Sequence, residues 1–139
     1  MARTTLFVDT GYVIALVSPR DRYHGAAVEW AARIKRENML LLTSRAVQLE
    51  FGAALARPPW RSVAVQLQEE MERDPEIEVA PLSEALFQTA FALFRSREDK
   101  GWSMTDCVSF TLMRELAIAA ALSTDAHFVQ AGFDAVLLG

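Results

Sequence analysis

Short, continuous apolar runs recur along this chain, and a segment with helical periodicity separates each run from the next. The runs cover residues 5–8, 39–43, 77–80, 118–122 and 135–138. A strand that is apolar at every position is buried on both faces, because successive side chains point to opposite sides of a sheet. Strands of this kind, alternating with helices, predict an α/β fold: a three-layer α/β/α sandwich around a central parallel sheet of about five strands.

The segments between the apolar runs predict six helices and a shorter seventh. They cover residues 12–17, 23–37, 45–56, 60–73, 83–97 and 104–116, and the last helix begins at Asp125 and ends near Gly132. In the helix over residues 83–97 the periodicity directs four side chains toward the core: Leu86, Ala90, Leu93 and Phe94. Because the chain has 139 residues and neither a linker nor a repeat, we expect a single domain over residues 1–139.

The composition argues against a protein that spans a membrane. Apolar residues make up 52% of the chain, yet no apolar run approaches the roughly 20 residues that cross a bilayer. The residues before the first strand do not resemble a signal peptide, and the lone cysteine, Cys107, lies in an apolar helix where we expect it to pack. We therefore expect a soluble, cytoplasmic protein without a membrane role.

The net charge of −4 provides no general attraction for nucleic acid. A phosphate-binding surface would need a local cluster of arginines. Six arginines near predicted loops are candidates for such a cluster: Arg20, Arg22, Arg57, Arg61, Arg95 and Arg97. The high apolar content, with Trp30 and Trp60 on otherwise charged helices, also suggests an exposed patch used for self-association or for a protein partner.

Four of the 18 acidic residues stand in unusual places. Asp9 and Asp125 each follow an apolar strand, so a parallel sheet would bring them to the same edge. Glu50 borders the apolar face of the helix after the second strand, and Asp106 lies in the first turn of a helix that is apolar on nearly every side. No lysine or arginine lies one helical turn away to offset Glu50 or Asp106 on that face, so we expect a cation or polar groups to do so.

Helices that follow parallel strands begin at the edge where those strands end, so these four acids are expected to converge. A cluster of carboxylate oxygens suits Mg²⁺ or Mn²⁺, which take oxygen ligands and often keep water and substrate phosphate in their coordination shell. The sequence therefore predicts a site for metal-assisted phosphate chemistry.

Each acid except Glu50 also has a purely structural explanation. Asp9 and Asp125 are good helix N-caps, and the segment from Ser103 to Asp106 resembles a capping box with Asp in place of the usual Glu. A chain whose acids serve only as caps would act mainly through its binding surfaces. The combination of four acids at one predicted edge favours the metal site.

The chain lacks the residues that several other catalytic chemistries require. His24 and His127 are too few and too poorly spaced for a zinc site. His127, two residues after Asp125, could reach the acidic site, although a histidine in the first turn of a short helix is more often exposed. The chain contains no serine-hydrolase elbow, phosphate-binding glycine loop or dinucleotide fingerprint. A phospho-acceptor domain would need a lysine after a late strand, and an acid-phosphatase-like fold would need an Asp at position 11, which is Gly11.

Four motifs, in order, resemble those of the PIN-domain nucleases, in particular the small toxin-type members of VapC kind. They are residues 7–11 (FVDTG), 47–51 (VQLEF), 104–110 (MTDCVSF) and 122–128 (LSTDAHF), and the resemblance extends over essentially the whole chain. It implies a PIN-like fold, a metal-dependent endoribonuclease that leaves 5′-phosphate and 3′-hydroxyl ends, and a homodimer. It also implies, for many members, a cognate antitoxin protein that blocks the site.

The resemblance also implies roles for individual residues. Asp9, Glu50, Asp106 and Asp125 match the acidic quartet that binds Mg²⁺ or Mn²⁺ and positions the attacking water. Thr10 and Ser123 match positions where a hydroxyl supports the acids or a metal-bound water, although both are also ordinary turn and cap residues. The alternative function is a PIN-like scaffold that binds a partner protein without nuclease activity.

Overall fold

A computed structural model describes residues 2–139. The strands are β1 (Thr5–Val8), β2 (Leu40–Ser44), β3 (Ile77–Ala80), β4 (Ala120–Leu122) and β5 (Asp134–Ala135). The helices are α1 (Thr10–Val17), α2 (His24–Arg36), α3 (Arg45–Ala54), α4 (Trp60–Arg73), α5 (Glu84–Ser96), α6 (Met104–Glu115) and α7 (Ala126–Gln130), and a 3₁₀ turn covers Val136–Leu138. None of these helices combines the length and the hydrophobicity needed to cross a bilayer.

The strands form one parallel sheet in the order β3-β2-β1-β4-β5. The chain runs outward from β1 toward β3 and then returns to the other side of β1 to add β4. Strand order thus reverses between β1 and β4, and an open α/β sheet has its ligand crevice beyond the carboxyl ends of the strands at such a point. In the register of the two strands, Val8 lies opposite Leu122.

Helices cover both faces of the sheet. The consecutive residues Leu6, Phe7 and Val8 are all buried, although their side chains alternate between the two faces. On one side, the ring of Phe110 in α6 packs edge-on against Phe128 in α7, with ring centroids 5.0 Å apart. The predicted three-layer α/β/α fold with five parallel strands is confirmed, and Cys107 is fully buried in α6, as expected.

Two local predictions are wrong. Phe94 does not face the core, because its side chain is 42% exposed on the outer face of α5, whereas Leu86 and Ala90 are buried. The last apolar run is a strand only at Asp134–Ala135, and Val136–Leu138 turn into a 3₁₀ helix. The short strand β4 pairs with β5 at only two positions, which leaves residues 136–138 without a partner strand.

Candidate metal centre

The reversal of strand order between β1 and β4 brings the first acids together. Asp9 directly follows β1, and Ser123 directly follows β4 on the neighbouring strand. The Ser123 hydroxyl donates a hydrogen bond of 2.8 Å to Asp9 Oδ2 and accepts one of 3.0 Å from the backbone N–H of Asp125. One buried hydroxyl therefore connects the loops that carry Asp9 and Asp125.

Gly11 allows these two loops to approach closely. A Cβ atom at position 11 would collide with the side-chain hydroxyl of Thr124, in the loop after β4. The first turn of α1 packs directly against that loop because residue 11 has no side chain. This contact keeps Asp9 beside Ser123.

Asp106 reaches the same edge from the first turn of α6. Ser103 and Asp106 form the predicted capping box: Ser103 Oγ accepts from the Asp106 backbone N–H, and Asp106 Oδ2 accepts from the Ser103 backbone N–H, both at 3.0 Å. The cap fixes the orientation of the Asp106 carboxylate, whose side chain is only 12% exposed. The capping role and a site role are therefore compatible.

His127, in α7, completes a compact group. Its Nδ1 atom lies 3.0 Å from Asp106 Oδ2 and 3.3 Å from Asp125 Oδ2. One ligand atom from each of these three residues lies within 4.8 Å of the other two. Asp106 and Asp125 thus converge as predicted, and the imidazole of His127, for which exposure was the favoured expectation, lies beside both.

Asp9 lies in the most buried part of the edge, at 7% exposure. Burial raises the pKa of its carboxyl group from 3.8 to about 7, since a desolvated charge is unfavourable. The hydrogen bond from Ser123 lowers this pKa, while the negative charges of Glu50 and Asp106 raise it further. Within residues 2–139, neither Asp9 nor Asp106 nor Asp125 forms a salt bridge with a lysine or an arginine.

Glu50 lies at the margin of this edge. It belongs to α3, is half-buried, and borders a small groove together with Thr105, the neighbour of Asp106. Its charge acts on Asp9, but neither Glu50 nor Asp9 belongs to the compact group of three. The predicted quartet thus consists of a close pair, Asp106 and Asp125, with the buried Asp9 on one side and Glu50 at the margin.

Comparison with known proteins identifies the family. The family model of the PIN domain matches residues 6–134. The chain belongs to the PIN domain family. This PIN domain is also similar to VapC20 of Mycobacterium tuberculosis, a toxin that cleaves the sarcin-ricin loop, with 27% sequence identity and a TM-score of 0.82. The alignment covers 94% of this chain and 97% of that one. A comparison with curated proteins gives no significant match.

The two predicted hydroxyl residues have different environments in this PIN domain. Ser123 is fully buried and holds both Asp9 and the backbone of Asp125, as described above. Thr10 Oγ1 is a buried polar atom without a hydrogen-bond partner in the part of the chain that the structure describes. An unsatisfied buried hydroxyl next to a buried carboxylate suits a site that binds a cation or an ordered water.

His127 lies beside the acids, which is the less favoured of the two placements that its position in the sequence allowed. Its side chain is 31% exposed, and its ring is directed at the acids rather than into solvent. The available signal was its position two residues after Asp125, because a short helix that begins at a strand end keeps its first turn over the same crevice. The Asp125 side chain caps this helix by accepting from the His127 backbone N–H at 2.8 Å.

Two of the six candidate arginines lie in one groove. Arg95 and Arg97 line one groove with Lys100 and Trp102. Arg97 is held there by a bidentate pair with Asp99, with both N–O distances at 3.0 Å, so part of its charge is already neutralised.

Proposed function

We propose that this PIN domain is a metal-dependent endoribonuclease that hydrolyses RNA phosphodiester bonds as the toxin of a toxin–antitoxin pair. The observation that carries the proposal is the convergence of Asp106, Asp125 and the buried Asp9 at the reversal of strand order. Family membership and the similarity to a sarcin-ricin loop cleaving toxin support the same chemistry. The alternative of a scaffold without nuclease activity is not favoured, because it leaves this cluster without a role.

The donor set fits a small divalent cation, and we propose Mg²⁺ or Mn²⁺. Carboxylate oxygens from Asp106 and Asp125 lie within 4.8 Å of each other, and the buried Thr10 hydroxyl, which has no hydrogen-bond partner in the described chain, is available for an ordered water. When bound, the cation supplies a water of lowered pKa and offsets negative charge on the phosphate. Asp9, Glu50, Asp106 and Asp125 are the residues we propose to hold it.

The protein's own groups prepare this site. The capping box orients Asp106, and Ser123 orients Asp9. A positive charge at the site would favour the ionised form of Asp9, whose pKa of about 7 leaves it partly protonated near neutrality. We propose that Glu50, at the partly exposed margin, helps to position the attacking water.

The experiment is cleavage of two RNAs by the wild-type protein and by Asp106→Asn. One RNA is a mixed-sequence single strand, and the other is a hairpin with the sarcin-ricin loop sequence. We expect Mn²⁺- or Mg²⁺-dependent products with 5′-phosphate ends, and a loss on the order of a thousandfold in the variant, since metal-bound charge stabilisation contributes several kcal/mol. The amide oxygen of the asparagine can still accept from the Ser103 backbone N–H, and Ser103 still caps α6, so the fold should be retained.

The matched control is Asp74→Asn, which changes an exposed acid outside the site. Cleavage that is equal in the wild type, in Asp106→Asn and in the presence of EDTA would indicate a contaminating nuclease and would refute the proposal. Cleavage of the hairpin alone would restrict the substrate to a structured loop.

We further propose that the protein forms a homodimer through the outer face of α5. Phe87, Phe91 and Phe94 recur there at helical spacing with exposures of 41%, 38% and 42%. Exposed aromatic side chains in one stripe are typical of an association surface. Light scattering should give twice the chain mass for the wild type and one chain mass for Phe91→Glu, whereas Val65→Glu, at an exposed apolar residue of α4, should stay dimeric.

An antitoxin protein is proposed as the other partner, on the basis of the toxin family alone. Production of the active protein in bacteria should arrest growth, and production of Asp106→Asn should not. Co-production of the protein encoded beside it should relieve the arrest and block RNA cleavage in vitro. Unimpaired growth with the active protein would argue for an RNase with a different cellular role.

A further inference from the structure

His127 lies where a third metal ligand belongs. Its Nδ1 atom lies 3.0 Å from Asp106 Oδ2 and 3.3 Å from Asp125 Oδ2. Neighbouring ligands around an octahedral cation with bonds of about 2.1 Å are separated by roughly 3 Å. Nδ1 therefore lies at the spacing of a neighbouring ligand from both carboxylate oxygens, and all three ligand atoms lie within 4.8 Å of one another.

The position of α7 and of the other ring nitrogen also favours Nδ1 as the ligand atom. The Asp125 side chain caps α7 at the His127 backbone N–H, and the next residue, Phe128, is fully buried and anchors the helix in the core. The other ring nitrogen, Nε2, is directed toward Gly101, where an added Cβ would lie 3.9 Å from it. The helix thus presents one nitrogen to the acids and keeps the other outside the cluster.

We propose that His127 binds the cation through Nδ1 together with Asp106 and Asp125, and that this imidazole makes the site select Mn²⁺ over Mg²⁺. Imidazole nitrogen suits transition metals, whereas a shell of oxygen atoms alone suits Mg²⁺. The inference rests on the proposed function, since it concerns the cation of that same site. The competing role for His127 is to hold the two carboxylates by hydrogen bonds without touching the cation.

The test measures metal binding without RNA and without turnover. Tag-free protein loaded with Mn²⁺ is examined by electron spin-echo envelope modulation, which detects a nitrogen nucleus bonded to the metal. We expect a nitrogen signal in the wild type that changes when the histidines carry ¹⁵N, which requires no substitution. The signal should persist in His24→Asn, the control at the other histidine, and disappear in His127→Asn.

Calorimetric titrations with each metal complete the experiment. Asparagine retains a hydrogen-bond donor near the position of Nδ1, so a positioning role would survive in His127→Asn. We expect Mn²⁺ binding to weaken by at least about tenfold in this variant, the loss typical even of residues that only support a ligand. Mg²⁺ binding should weaken less, so the preference for Mn²⁺ over Mg²⁺ should fall.

The two ways of failing are distinct. Tight Mn²⁺ binding with no nitrogen signal, and with equal affinities in the wild type and His127→Asn, would overturn the role of His127 and leave the nuclease proposal intact. The absence of both Mn²⁺ and Mg²⁺ binding would refute the metal-dependent nuclease itself. A nitrogen signal that disappears in His24→Asn and persists in His127→Asn would show that the metal-bound nitrogen belongs to His24, and it would overturn the proposal.

Discussion

The two edges of the sheet differ in how their charged side chains are paired and exposed. At the amino edge, a broad groove lies beside the starts of β1 and β2 and the loop before β4. Arg3 binds Glu76 there at 2.7 Å and donates to the backbone carbonyl of Asn38, and the Arg3 and Glu76 side chains are 32% and 46% exposed. At the carboxyl edge, Asp9 is buried, and no lysine or arginine in the described chain pairs with it.

The comparison separates the largest groove described above from the region that we propose to be functional. The amino-edge groove is larger, but its charged groups, the Arg3–Glu76 pair and Glu78, are partly or fully exposed to solvent, so no bound cation is needed to offset them. The carboxyl edge concentrates carboxyl groups that pair with no lysine or arginine within residues 2–139. That electrostatic cost is what a bound cation would relieve.

The largest expected effect on stability concerns Asp9. Its pKa of about 7 in the folded protein, against 3.8 as the ordinary value, means that the folded protein holds an extra proton between about pH 4 and 7. Stability of the metal-free protein should therefore fall as the pH rises through this window. The free energy of unfolding should fall by roughly 4 kcal/mol in total, since each pKa unit corresponds to about 1.4 kcal/mol.

Asp9→Asn should remove most of this pH dependence and raise the stability of the metal-free protein at pH 8. Urea unfolding at pH 5 and pH 8 in EDTA measures both effects. The control is Glu76→Gln at the amino edge, which should leave the pH dependence in place. If the wild-type protein is equally stable at both pH values, ionisation of the buried Asp9 does not lower the stability of the fold.

The next effect is stabilisation by metal. A cation that binds only the folded protein stabilises it by about 2.7 kcal/mol at 100 times its Kd, or roughly 5–10 °C in Tm for a chain of this size. We expect Mn²⁺ to produce this shift in the wild type and to lose it in Asp106→Asn. If the Arg3→Ala variant also lost the shift, the cation would not be specific to the carboxyl edge.

A smaller effect is expected for Ser123→Ala. Loss of this hydroxyl leaves Asp9 Oδ2 and the backbone N–H of Asp125 without their shared partner. Residues that orient metal ligands typically contribute 10- to 100-fold to metal affinity, so Mn²⁺ binding should weaken by roughly that factor. Ser83→Ala, which removes an N-cap of α5 far from the acids in sequence, is the matched control for a lost hydroxyl. Unchanged Mn²⁺ affinity in Ser123→Ala would show that Asp9 needs no such support.

The smallest effect is expected at the amino edge. Arg3→Ala removes an exposed ion pair with Glu76, and exposed pairs contribute roughly 0–1 kcal/mol. RNA cleavage and Mn²⁺ affinity should match those of the wild type. A tenfold loss in either one would show that the two edges are coupled, contrary to the contrast drawn above.

The sheet could be predicted from the sequence because its strands are buried on both faces. A continuous apolar run such as residues 5–8 has few other environments that would accept it, and β1 and β3 have the predicted bounds. Phe94 could not be placed in the same way. Apolar side chains surround much of α5, so the periodicity does not separate the core face from the face with Phe87 and Phe91.

The candidate site was predictable to a similar degree. Asp9 and Asp125 were found because they follow strands, and the capping box placed Asp106 at a helix start. The contact between His127 and Asp106 was not predictable, because it joins residues 21 apart on two helices whose relative position depends on tertiary packing. The exposure of Glu50 at the margin depends on the packing of α3 in the same way.

The most direct test is a crystal structure of the protein soaked with Mn²⁺, with anomalous diffraction used to locate the metal. We expect a peak within bonding distance of Asp106 and Asp125 at the carboxyl edge of the sheet, and none beside Glu76 at the amino edge. A map with no peak at these acids at saturating Mn²⁺, or with its strongest peak in the amino-edge groove, would contradict a metal centre at the reversal of strand order.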